Sequence, residues 1–99
     1  MKLKTSDLTG SALDWAVAKA YGQEEAFGSF STNWLIGGPI IEREKIDVLY
    51  MGDSVTDYWR AEAVGGYTFA EGPTPLIAAM RCFVSSKLGD EIDVPEELL

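Results

Sequence analysis

The sequence predicts an α+β fold, a small sheet packed with two main helices at about residues 9–22 and 74–89. Three observations predict it. Leu13, Ala16, Val17 and Ala20 recur at helical spacing, as do Leu76, Ile77, Met80, Phe83, Val84 and Leu88. Between these stripes run short segments punctuated by Gly and Pro, with no clear helical stripe of their own. The length, 99 residues, gives room for one modest core, so residues 1–99 read as a single domain.

Residues 2–5 can form a short strand, with Leu3 between two lysines. Thr9 then stands at the N-cap position of the first helix, and Leu8 and Leu13 fall at the two positions of a hydrophobic staple. Gly22 is placed to end that helix, and Trp15 lies off the centre of its stripe. Residues 23–36 are rich in Gly, Ser, Thr and aromatics and read as loop. Gly37-Gly38-Pro39 reads as a turn, with Ile40 and Ile41 beginning a buried strand, because Pro is tolerated at a strand's first position. Glu42 to Lys45 are good helix formers without alternation, so the period there stays open. Asp47 to Met51 reads as a strand or edge segment and Gly52-Asp53-Ser54 as a turn. Residues 55–72 read as irregular structure with a short strand around Tyr67 to Ala70. Thr74 caps the second helix, Pro75 takes its first position, Lys87 suits its last turn and Gly89 stops it. The tail from Asp90 is acidic, with Pro95 opening a final short turn.

Composition excludes several functions. There are 16 acidic and 8 basic residues, a net charge of −8, so nucleic acid and anionic membrane surfaces are not expected partners. A local basic pocket for one small anion remains compatible with that charge, as does mimicry of DNA. No segment approaches the ~20 apolar residues of a membrane span, and the opening residues hold no apolar signal region. The single cysteine, Cys82, rules out an intramolecular disulfide and fits a reducing compartment, so the expected location is cytoplasmic. Histidine is absent, which removes the commonest general base and metal ligand. A non-catalytic protein without cofactor or metal is therefore expected. The carboxylate pairs Glu42 with Glu44 and Asp53 with Asp57 match no metal-loop pattern and read as solvated acids.

Binding candidates come from aromatic and Gly-rich stretches. Eight of the eleven aromatics lie between residues 23 and 72: Phe27, Phe30, Trp34, Tyr50, Tyr58, Trp59, Tyr67 and Phe69. Aromatics in weakly patterned regions cover a small core, stack on a ligand or anchor an interface. Trp34 offers a stacking face beside Gly37 and Gly38, which let backbone N–H groups approach a ligand closely. Trp59 and Arg60 place a second ring beside a fork-shaped cation, although Arg43 and Arg60 also have Glu42, Glu44 and Glu62 near them as ion-pair partners. Thr74 stands where a helix start can hold an anion, with capping as its plainer role, and Arg81 lies two turns on.

Three stretches together resemble the NinX-like family of small phage and prophage proteins. They are Lys4 to Gly10 with Ala12 to Lys19, Trp34 with Gly37 to Glu44, and Thr74 to Cys82 running on through Ser86 to Glu91. The resemblance is weakest across residues 48–70. It implies a viral origin and expression inside a bacterium, and it supplies no catalytic residues. Small accessory phage proteins often disarm host defence, so the leading expectation is sequestration of a small anionic nucleotide signal. Trp34 and Trp59 would stack, Gly37 and Gly38 would give backbone contacts, and Arg43, Arg60, Thr74 and Arg81 would meet phosphate or ribose. The alternative is an inhibitor or regulator of a host enzyme acting through an acidic, aromatic surface. A homo-oligomer is expected of a small domain exposing many aromatics.

Overall fold

The chain opens on strand β1 (Lys2–Lys4), which pairs antiparallel with β5 (Glu91–Asp93) so that Leu3 stands opposite Ile92. The computed structural model describes residues 1–22, 28–53 and 55–99; Phe27, Ser54 and the first part, 23–27, of the loop expected over 23–36 lie outside them. Those residues hold three helices and two antiparallel sheets, an α+β fold. After β1 a single 3-10 turn, Thr5–Asp7, buries Thr5. The Thr5 hydroxyl lies 2.6 Å from that of Ser85 and within 3.2 Å of the Gly89 and Asp90 carbonyls, locking the start of the chain to the end of the last helix.

Helix α1 (Gly10–Tyr21) buries Leu13, Ala16 and Val17 as their spacing requires. Leu8 and Leu13 are both buried, as the staple predicts, while Thr9 holds the N-cap position without a side-chain capping bond. Gly22 ends the helix at φ 84°, a left-handed conformation that favours glycine.

The segment expected to turn and enter a strand is a third helix, α2 (Trp34–Glu44). Asn33 caps it, its Oδ1 accepting the Leu35 N–H at 3.0 Å. Gly37 and Ile40, three residues apart, are its buried positions. Gly37 is needed there for packing. A Cβ at this position would overlap the Phe30 carbonyl oxygen and come within 2.8 Å of Leu76 Cδ1. Pro39 removes one helical bond, the one to the carbonyl of Leu35, which is 81% exposed, so water can replace it. Tertiary contact thus overrides the local preference of Gly-Gly-Pro, and no strand begins at Ile40.

Strands β2 (Asp47–Tyr50), β3 (Trp59–Glu62) and β4 (Phe69–Gly72) form an antiparallel meander. β3 and β5 are strands where irregular structure and an acidic tail were expected. Helix α3 (Pro75–Leu88) lies across one face of the meander, with α1 and α2 also packed on it. It is buried almost all round, through Leu76, Ala78, Ala79, Met80, Cys82, Phe83 and Val84. Fully burying a side chain such as Phe83 contributes about 1.5–3 kcal/mol. The Thr74 hydroxyl caps α3 by accepting the Ile77 N–H at 3.1 Å, and Gly89 ends it, as expected.

Candidate functional site

The meander has a second face, and the strand period decides what lies on it. Ala61 and Ala70 are buried under α3, so Arg60, Glu62, Phe69 and Glu71 point the other way. In β2, Val48 packs on the core while Asp47 and Leu49 point outward. The register sets Leu49, Arg60 and Glu71 in one row and Asp47, Glu62 and Phe69 in the next. Met51 and Tyr58 extend the outward rows, joined by the Met51 N–H donating to the Tyr58 carbonyl at 3.0 Å.

Arg60 is fixed at the centre of this face. Its Nε donates to Glu62 Oε2 at 2.9 Å, and its guanidinium lies 3.7 Å from the centroid of the Phe69 ring. Around it Leu49, Met51 and Phe69 are 44%, 41% and 48% exposed. The β3–β4 hairpin adds Val64 and Tyr67, which are almost fully exposed at 73% and 96%. The result is an apolar surface with one oriented cation, rimmed by Asp47, Glu62 and Glu71.

At the β4 side the face runs into a cavity of about 520 Å³. Ser6 and Asp7 line it from the 3-10 turn, Tyr58, Phe69 and Glu71 from the sheet, and Arg81 from α3. Arg81 is a bridge as well as a wall. Its Nε donates to the Leu8 carbonyl at 2.7 Å and its Nη1 to the Glu71 carbonyl at 2.8 Å. Burial pushes its pKa below the ordinary arginine value, with Asp7 opposing that shift.

The eight residues expected to bind a ligand fall in several places. Trp34 is 54% exposed at the start of α2, and Gly37 and Gly38 lie inside that helix, where the Gly37 N–H donates to the Asn33 carbonyl at 2.9 Å. Arg43 donates to Glu44 Oε2 at 3.0 Å and lies 4.2 Å from the Tyr21 ring centroid. Trp59 faces inward, packed on the core and edge-on to Tyr50, with ring centroids 5.2 Å apart. Arg60 holds the open face, Thr74 caps α3, and only Arg81 of the eight lines the cavity. Tyr58, Phe69, Asp7 and Glu71 are the members that sequence reasoning did not single out as ligands. One signal was available: Tyr58, Arg60 and Glu62 alternate with Trp59 and Ala61 at a period of two.

Two further chemistry-bearing groups, Asp53 and Cys82, have structural roles. Asp53 Oδ1 accepts the Val55 and Thr56 N–H groups, both at 2.7 Å, and these bonds lower its pKa. Cys82 is buried, and desolvation pushes its thiol up to about 11. Among the described residues no group of three or more Cys, Asp or Glu could hold a metal ion. No helix among them is long and apolar enough to cross a membrane.

Residues 26–87 match the sequence profile of the family described as bacteriophage P22, NinX. The chain belongs to this family. The matched segment runs from just before α2 almost to the end of α3 and so contains the whole meander. Of the three stretches that carry the resemblance it contains the one from Trp34 to Glu44 whole and the one from Thr74 as far as Lys87, the opening Lys4 to Lys19 lying before it. No curated protein matches the chain.

Proposed function

We propose that this phage protein is a non-catalytic accessory protein that binds a bacterial host protein through the open face of its meander. One observation carries the reading: α3 covers one face of the sheet, while the other presents Leu49, Met51, Tyr58 and Phe69 around a fixed Arg60. Exposed apolar area rimmed by charge is the anatomy of a protein interface, with aromatics and arginine as its anchors. A net charge of −8 favours a partner whose rim is basic, and such pairing speeds association at low salt. The three arginines expected to meet phosphate already serve carboxylates or carbonyls, which weakens a phosphate site built from them.

The test is a pull-down from bacterial lysate with the wild-type protein and a Phe69→Asp variant of matched melting temperature. A host protein retained by the wild type and lost by the variant supports the reading. Equal retention by both would sink it.

A second reading, sequestration of a small anionic nucleotide, is favoured by the cavity beside the face. Its volume, about 520 Å³, lies in the range of small-molecule sites, and Tyr58, Phe69 and Arg81 offer two rings and a cation. Asp7 and Glu71 would then have to accept hydrogen bonds from base amino groups. Thermal-shift measurements against cyclic dinucleotides, cyclic trinucleotides and ADP-ribose derivatives decide it. A ligand at ~100 times its Kd adds roughly 2.7 kcal/mol of stability. Absence of any shift across the panel removes this reading and leaves the first standing.

A further inference from the structure

The two edges of the meander differ. In an antiparallel ladder, alternate residues turn their N–H and C=O groups toward the neighbouring strand and the others turn them away. Met51 bonds Tyr58, so Asp47 and Leu49 also face β3, and Val48 and Tyr50 present their backbone groups at the free edge of β2. Among the described residues nothing meets those four groups. At the β4 edge, by contrast, the outward Glu71 carbonyl is taken by Arg81. The β4 edge is thus crossed by one side chain, while the β2 edge is open along its length.

We propose that two copies of this chain pair through the open β2 edge, antiparallel about a two-fold axis at Leu49. This inference does not depend on what the open face binds. The pairing is self-complementary. Val48 of each copy meets Tyr50 of the other as a hydrogen-bonded pair, so all four free groups of each edge are used. Leu49 meets Leu49 of the second copy as the close, non-hydrogen-bonded pair, and Asp47 stands level with Met51. Neighbouring registers are worse. Moving by two residues one way sets Asp47 against Asp53. Moving the other way sets Tyr50 against Ile46, whose N–H already donates to the Ile41 carbonyl at 3.1 Å. The product is one six-stranded sheet with both α3 helices on one side and the two open faces joined on the other.

The test is sedimentation velocity over ~1–100 μM protein, because self-association follows mass action. The wild type should shift from monomer to dimer with concentration. Leu49→Lys places two ammonium groups against each other at the axis and should weaken the dimer at least ~10-fold. Leu49 is 44% exposed, so the monomer should keep its fold. Tyr67→Ser, on the hairpin, should dimerise like the wild type. A wild type that stays monomeric overturns the proposal. So does a dimer indifferent to Leu49→Lys, or one equally lost in Tyr67→Ser. If near-UV circular dichroism shows Leu49→Lys unfolded, hydrogen exchange of the wild type decides instead. The Val48 and Tyr50 amides must exchange more slowly as concentration rises, and concentration-independent exchange there overturns the pairing.

Discussion

Gly37 and Gly38 are neighbours on α2, and replacing Gly37 with alanine should cost far more than replacing Gly38. Both sit in helical backbone, where alanine is favoured over glycine by about 0.8–1 kcal/mol. At Gly38 the following Pro39 offsets that gain, because proline Cδ crowds the Cβ of a preceding residue in helical backbone. Away from its chain neighbours and its own helix, the nearest atom to an added Cβ is Trp34 Cε3 at 3.7 Å, an ordinary contact. Gly38→Ala should therefore leave stability within about 1 kcal/mol of the wild type. At Gly37 the added methyl would overlap the Phe30 carbonyl oxygen and press on Leu76 Cδ1 at 2.8 Å. The leucine methyl can give way, but the backbone oxygen can do so only by moving the segment before α2 away from the helix. Overpacking of this kind costs about 1–3 kcal/mol, and an obstacle made of backbone puts this site in the upper half of that range.

Subtracting the helical gain leaves Gly37→Ala destabilised by about 1–2 kcal/mol. For a domain of this size 1 kcal/mol is worth roughly 4–8 °C in Tm, so Gly37→Ala should melt about 4–16 °C below the wild type, with Gly38→Ala much closer to it. Calorimetry or circular dichroism melts of the three proteins measure this directly. If Gly37→Ala is as stable as the wild type, α2 does not approach Phe30 and Leu76 as described. If Gly38→Ala loses as much as Gly37→Ala, Gly-Gly-Pro is the turn that its local sequence suggests, and the helix is wrong.

Thr74→Ala should cost about 1 kcal/mol because the Thr74 hydroxyl accepts the Ile77 N–H, whereas Thr9→Ala should leave the melting temperature nearly unchanged because Thr9 makes no such bond. Arg81→Met keeps the side-chain stem but leaves the Leu8 and Glu71 carbonyls without their donor, and urea titration should find a loss of about 2 kcal/mol or more. Glu44 is held below its ordinary value of 4.5, first by its hydrogen bond to Lys87 and then by Arg43. Its contribution to stability is complete above pH 4.5 and lost as pH falls through the lower folded value, so Glu44→Gln should flatten the acid side of the Tm-against-pH profile. An unchanged profile would mean that these ion pairs are too well solvated to matter.

The ends of α1 and α3 were legible because each is set by local chemistry. Gly22 supplies the left-handed exit of α1, Thr74 and Pro75 start α3, and Gly89 stops it. α2 was hidden because its decisive residue acts at a distance: Gly37 is there for Phe30 and Leu76, and neither contact has a local signature. Asn33 was the one sign of a helix start that could have been weighed against Gly-Gly-Pro. β3 was hidden because its central inward residue is Ala61, too small to stand out in a strand pattern, its other inward residue, Trp59, stands at its very start, and its outward residues are charged. The binding surface was half legible. Arg60 and Arg81 were picked out for their chemistry, but Phe69, the ring on which Arg60 rests, became identifiable as part of a face only once β3 and β4 were in register.

Side-chain size on the meander argues that its outer face is under selection for something besides folding. An antiparallel sheet with one face in water ordinarily packs its large apolar residues inward and leaves polar ones outside. Here Ala61, Ala70 and Gly72 lie inward beside Val48 and Trp59, while Leu49, Tyr58 and Phe69 lie outside or at the cavity. Gly72 is small for a reason found in α3. A Cβ on Gly72 would come within 2.9 Å of the Ala78 backbone nitrogen, so the helix lies too close for anything larger. That close approach also fixes the register, since a slip of one residue would drive Phe69 and Glu71 into α3. The outer face has no such partner among the described residues. Threonine, lysine or glutamate there would cost the monomer little, because the core is built from Phe83, Leu13, Leu76 and their neighbours. An apolar outer face that the isolated fold does not require is best explained by what docks on it.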